Sequence, residues 1–199
     1  MAGTICGSAK TYLTQLNQLA GLLDGRRIEE FAGLLFDAWQ EDRGVFIFGN
    51  GGSASTASHH VCDFVKTAAV DGQRRLRAFS LVDSVGMGTA LGNDVGYEDT
   101  FCYPLETYAK PGDIAVAISG SGNSPNVLRA CEWARANGLT VVALTGFAGG
   151  KLKALADLHI NVPSDNFGLI EDLHLVVGHA VSQILKARVM EEAKALAAS

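Results

Sequence analysis

Five short apolar runs, separated by stretches of helical periodicity, constrain this chain more than any other feature. They are VFIFG at 45–49, LRAFSLV at 76–82, IAVAIS at 114–119, LTVVALT at 139–145 and LHINVP at 158–163. Runs this short, apolar at consecutive positions, fit strands covered on both faces, as in a parallel sheet. Between them, residues 54–69, 84–92, 100–108, 124–136 and 150–156 read as helices, and a long helix runs from about 168 into the 190s. Strands alternating with helices predict an α/β fold with one parallel sheet and helices on both sides. Ahead of the first strand, residues 10–23 and 28–40 carry apolar side chains at helical spacing on either side of Gly25, an N-terminal helical pair. Pro111 and Gly112 mark a turn, and no repeat or linker interrupts the pattern. The expectation is one domain over 1–199, with a helical pair in 1–42 and an α/β core in 43–199.

Composition narrows the function classes. A chain of 199 residues can bury a core without disulfides. Sixteen basic against 21 acidic residues give a net charge of −5, which argues against nucleic acid or an anionic membrane as partner. An anionic ligand must then be held by local geometry. Cys6, Cys62, Cys102 and Cys131 form no Cys-x-x-Cys pair and read as free thiols of a reducing compartment. The opening MAGTICGSAK lacks the apolar segment of a leader, and no stretch is long and apolar enough to span a bilayer. The expected location is cytoplasmic.

Two glycine-serine loops follow strands and precede helices. The first is Asn50-Gly51-Gly52-Ser53, and the second is Ser119-Gly120-Ser121-Gly122-Asn123-Ser124. In open α/β sheets, ligands bind outside the carboxyl ends of strands. Glycine admits an anion close to the backbone, helix N-terminal N–H groups point at it, and serine hydroxyls add donors without charge. Either loop alone favours a plain turn, with Ser53 and Ser124 as helix N-caps. Two together favour an anion site. Neither loop matches a P-loop or G-x-G-x-x-G, which demotes nucleotide hydrolysis and dinucleotide binding.

His59 and Asp63 lie four apart on one predicted helix, and Glu171 and His179 lie eight apart on another. Each pair shares a helical face, so together they offer two nitrogen and two oxygen ligands to a divalent metal. An exposed His–Asp pair is also common on helices without any metal. His60 points off the face of His59 and reads as structural, as does His159, which alternates within the last strand. For His174 a packed role and a supporting one stand equal.

GNGGSAS, ISGSGNSPN and VVALTG with its later GG resemble the sugar isomerase (SIS) domain. Within that superfamily the whole chain is similar to the phosphoheptose isomerases, through Gly92-Asn93-Asp94 and Gly96-Tyr97-Glu98 to the closing helix. The resemblance implies a flavodoxin-like five-stranded sheet and a homotetramer with sites between subunits, in which the N-terminal helices take part. It implies zinc held by His59, Asp63, Glu171 and His179, with Asp63 and His179 as catalytic base and acid, Glu171 being the alternative base if Asp63 is only a ligand. It also implies substrate contacts from Asn50, Gly51, Gly52, Ser53, Asp63, Asn93, Asp94, Ser119, Gly120, Ser121, Ser124 and Glu171. Four positions depart from the family pattern. Asp63 stands where glutamate is expected, Glu171 where glutamine is, Gly120 where threonine is usual, and Thr67 beside Lys66 where arginine is frequent.

The activity so implied is aldose–ketose isomerisation of a phosphorylated sugar, sedoheptulose 7-phosphate above others, through an enediol with metal assistance. The alternative is a non-catalytic SIS protein that binds a sugar phosphate or a protein partner. The substitutions at Asp63 and Glu171 keep that alternative open, while both retained histidines and both carboxylates oppose it.

Overall fold

A computed structural model describes residues 5–198. Residues 1–4, part of the segment expected to carry no leader, and Ser199 of the tail lie outside the described residues. The chain opens with α1 (Ala9–Ala20) and α2 (Gly25–Gln40), capped by the Ser8 and Asp24 side chains. It then alternates through β1 (Gly44–Gly49), α3 (Gly52–Cys62), β2 (Arg77–Ser80), α4 (Val85–Asp94), α5 (Cys102–Tyr108) and β3 (Ile114–Ser119). It continues with α6 (Pro125–Ala136), β4 (Thr140–Thr145), β5 (Leu158–Asn161) and the long α7 (Phe167–Ala198).

All strand pairs are parallel, in the order β2-β1-β3-β4-β5. This is the flavodoxin-like order, as expected. The chain leaves β1 toward one edge and returns to the other side at β3, so a crevice opens at the carboxyl ends of β1 and β3. The two glycine-serine loops sit at those ends. β1 and β3 are buried at every position because both faces are covered. Val45, Ile47, Val116, Ile118, Val142 and Leu144 pack with Phe31 and Leu35 of α2 and Val177, Val181 and Leu185 of α7. Phe46, Phe48, Ala115, Ala117, Val141 and Ala143 face the other way, onto α5 and α6. Fully burying each such large side chain stabilises by about 1.5–3 kcal/mol, before entropy is counted.

Four local features depart from the sequence expectation. The helix predicted over 54–69 is α only to Cys62. The next turn is a π-helix over Asp63–Thr67, with Ala68 N donating to Asp63 O at 2.8 Å. The edge strand β2 is shorter than predicted, and β5 ends at Asn161, two residues before Pro163, which has no N–H to donate. Asn93 and Asp94, read as loop residues, form the last turn of α4.

Helix α1 contributes no buried residue. Leu16 and Leu19 pack over Val162, Ile170 and Leu173, while Tyr12 donates to Asp172 Oδ2 of α7 at 2.6 Å. Burial and that bond to an acidic acceptor push the Tyr12 phenol up to about 12.

Candidate active site

The first element of the site is a cleft of about 270 Å³ between the two loops, lined by Asn50, Ser53, Ser119, Gly120, Ser121, Ser124, Phe167 and Glu171. No lysine or arginine lines it, so any anion there is held by dipoles and hydroxyls. The capping reading of its serines fails. The N-cap of α3 is Gly51, at φ 58, a backbone conformation that costs glycine little, and Ser53 lies inside the helix. Ser124 occupies the N-cap position of α6 without a side-chain cap bond. Its Oγ stands 3.4 Å from Ser119 Oγ instead. Both helix N-termini therefore face the cleft without a capping side chain, which leaves their first-turn donors available to a ligand.

Gly120, where the resembling family has threonine, is explained by its neighbour. A Cβ there would sit 3.0 Å from the Phe167 ring, so that ring occupies the space a threonine would need.

Asn126 ties the two loops together. It is 1% exposed and exchanges amide hydrogen bonds with Asn50, at 2.8 and 3.0 Å. It also donates to Thr100 Oγ1, and Tyr97 donates its hydroxyl to Asn50 Oδ1 at 2.8 Å. Sequence reasoning passed over Asn126, because within the predicted helix 124–136 it reads as an ordinary first-turn residue. Its one local signal is Pro125 at the first helical position, which sets Asn126 just inside α6.

The second element is a side-chain cluster joining α3 to α7. His59 Nε2 lies 3.0 Å from His179 Nε2, and Asp63 Oδ2 lies 3.3 Å from each. Neither approach to Asp63 has hydrogen-bond geometry, so Oδ2 is buried without a hydrogen-bond partner among the described residues. Its other oxygen accepts from Thr67 Oγ1 at 3.0 Å. Two imidazole nitrogens and an unbonded carboxylate oxygen converging on one point suit a divalent cation, since facing lone pairs repel without a positive centre between them.

Of the four ligands expected, the structure brings together three: His59, Asp63 and His179. Glu171 stands apart. Its carboxyl rests over Gly52, where a Cβ would meet Oε1 at 2.2 Å, and it borders the serine cleft. The eight-residue spacing put Glu171 and His179 on one face, but at 1.5 Å per residue it also sets them about 12 Å apart along the axis. Burial, and then neighbouring Asp172, raise the Glu171 carboxyl.

Two more histidines stand on the same helices with opposite treatment. His60 is fully buried beneath Gly178 and donates Nε2–H to His174 O at 3.2 Å. His174, also fully buried, donates to Thr145 O at 3.0 Å. Desolvation lowers both to about 4. The structural role expected for His60 fits, and His174 takes the packed alternative. His159 donates to the Thr145 hydroxyl at 2.6 Å, in keeping with a structural role. Asn93 and Asp94 are exposed, bonded to each other, and line neither this cleft nor the neighbouring one beside Asn50 and Tyr97.

The SIS domain family matches residues 11–146. The chain is similar to the phosphoheptose isomerase of Akkermansia muciniphila, 35% identical over 87% of this chain and 95% of that protein. It is 45% identical to that of Mycobacterium bovis over 70% of each. The solved phosphoheptose isomerase of Neisseria gonorrhoeae superposes with a TM-score of 0.81 at 30% identity, covering 87% of this chain and 92% of that one.

Proposed function

The chain belongs to the SIS-domain family and, within it, to the phosphoheptose isomerases, and we propose that it interconverts sedoheptulose 7-phosphate and D-glycero-D-manno-heptose 7-phosphate through an enediol. The observation that carries the chemistry is the meeting of Asp63 and His179, from helices whose histidines are 120 positions apart. In the ketose-to-aldose direction, Asp63 takes a proton from C1 while His179 donates one to O2. Asp63 then returns its proton to C2, and the O1 proton leaves to His179, so both groups end as they began. The serine cleft holds the phosphate at the far end of the sugar, converting binding energy into alignment of C1 and C2 with Asp63.

His59, Asp63 and His179 are the residues that would hold a divalent cation, zinc by donor type, and it would supply an electrophile for the oxygen on which charge develops. Glu171 acts from the cleft side. Its raised carboxyl, when protonated, donates a hydrogen bond as the family's glutamine amide would. The substitutions that kept a non-catalytic reading open leave the convergent cluster assembled. Residues 1–42 supply the surface for a homotetramer. In support, no residue of α1 is fully buried, and Leu13 and Leu22 are 62% and 66% exposed. Four free cysteines suit a reducing, cytoplasmic setting.

The decisive experiment replaces Asp63 with asparagine, which keeps the shape and removes the basicity. Turnover and solvent-deuterium exchange at the substrate carbon, followed by NMR, should fall by roughly 10³-fold, while the sugar phosphate still binds. Exchange at the wild-type rate would refute Asp63 as base.

A further inference from the structure

The aspartate at position 63 leaves a mechanical problem. Its carboxylate swivels about a soft terminal torsion, and it is one methylene shorter than the residue usual in the resembling family. An unrestrained swivel would carry Oδ2 away from His59 and His179. The neighbouring contacts remove that freedom. The helix widens into a π-turn at Asp63–Thr67, a form found mostly as single turns at functional sites. In that turn Thr67 Oγ1 donates to Asp63 Oδ1 at 3.0 Å. Thr67 is itself anchored, because Lys186 Nζ of α7 donates to its backbone carbonyl at 3.1 Å. One carboxylate oxygen is thereby occupied. The other is left buried, without a hydrogen bond among the described residues, and 3.3 Å from both imidazole Nε2 atoms.

We propose that Thr67 is the positioning residue of this site, its hydroxyl fixing the Asp63 carboxylate plane so that Oδ2 faces His59 and His179. The inference rests on the reading of these three side chains as the reactive cluster. It assigns a role to Thr67 that a solvated helix residue would not have. It also explains how a shorter carboxylate serves: orientation comes from outside the side chain, through a hydroxyl fastened to the same helix that carries His179. Groups that orient a metal-binding carboxylate are worth about 10–100-fold in affinity or activity when removed.

The test uses the full chain and Co²⁺ as the probe, titrated by calorimetry and by its absorption spectrum, beside steady-state kinetics on sedoheptulose 7-phosphate. Thr67→Val removes the hydroxyl at nearly constant volume, Thr67→Ala removes it where valine fails to fold, and Thr67→Ser keeps it. The backbone bond from Lys186 survives in all three. Thr67→Val should weaken Co²⁺ binding about 10–100-fold and lower kcat with KM nearly unchanged. Thr67→Ser should return both to within about threefold of wild type, and Thr67→Val should add nothing in an Asp63→Asn background. Co²⁺ affinity and kcat unchanged in both hydroxyl-free variants, while Asp63→Asn loses the metal, would overturn the positioning role and leave the site standing. Unchanged affinity in Asp63→Asn as well would overturn the cluster reading and the positioning role with it.

Discussion

His59 and His60 are neighbours in α3, and His174 and His179 share α7, yet the two pairs they form do opposite things. His59 and His179 have side chains 46% and 51% exposed and turn their Nε2 atoms toward each other and Asp63. His60 and His174 are fully buried, held neutral by desolvation, and spend their one N–H each on a backbone carbonyl. Residue type is the same, and helix is the same. What differs is which side of the helix meets water. A histidine left at the rim keeps its ring nitrogen open to other groups, whereas one sealed between helices loses the charged form and becomes a fixed donor.

The largest effects should come from exchanging the fates of the two pairs by mutation. His59→Ala and His179→Ala should each cost at least about 100-fold in turnover and lower the metal content found by elemental analysis, with little change in melting temperature. His60→Ala should do the reverse, costing about 2–4 kcal/mol in denaturant unfolding, because it opens a cavity and strips the His174 carbonyl of its donor. Full metal occupancy in both outer-pair variants would erase the distinction. Removing two cleft hydroxyls, in Ser121→Ala with Ser124→Ala, should raise KM about tenfold or more and spare the fold. Unchanged kinetics would show that the phosphate binds elsewhere.

A pH series sharpens the contrast at the inner pair. Both inner histidines titrate near 4 in the fold and near 6.5 when unfolded, so the unfolded chain binds the extra protons. The stability they confer is complete above pH 6.5 and is lost as pH falls toward 4, by about 3 kcal/mol for each group. Chemical denaturation from pH 7 to 4 should show that loss, and His60→Leu should remove about half of it. The smallest effect belongs to Glu171. Its raised carboxyl contributes stability below about pH 4.5 that is lost as pH rises, so Glu171→Gln should raise the melting temperature at pH 7. That gain should close at pH 4, and an equal gain at both would point to packing.

Much of the fold was legible because its signals are local. Continuous apolar runs marked β1, β3 and β4, since strands covered on both faces need apolar residues at every position. The glycine-serine loops were legible for the same reason: backbone chemistry at a strand end is written in adjacent residues. The roles of individual side chains were less legible. Ser53 and Ser124 read as caps until the helix starts were seen to lie elsewhere or to face the cleft. Glu171 read as a metal ligand because angular position along a helix is visible in spacing, while the direction in which a flexible side chain leans is not. Asn126 escaped notice because its partner Asn50 lies on a loop that only folding brings close, and Thr67 stood only as a departure from the family pattern because spacing alone does not show which oxygen of Asp63 it meets.

Amino-acid order alone determined the parallel sheet, the two glycine-serine loops at its carboxyl edge and the residue types from which the site is made. Tertiary structure decided how those residues are divided. Packing of α3 against α7 sealed one histidine pair in the core and left the other at the rim with Asp63. It also turned Glu171 toward the serines and placed Phe167 where a side chain at Gly120 would have stood. Periodicity reports which residues share a face, but desolvation and reach depend on what covers that face, and the covering element lies more than a hundred residues away.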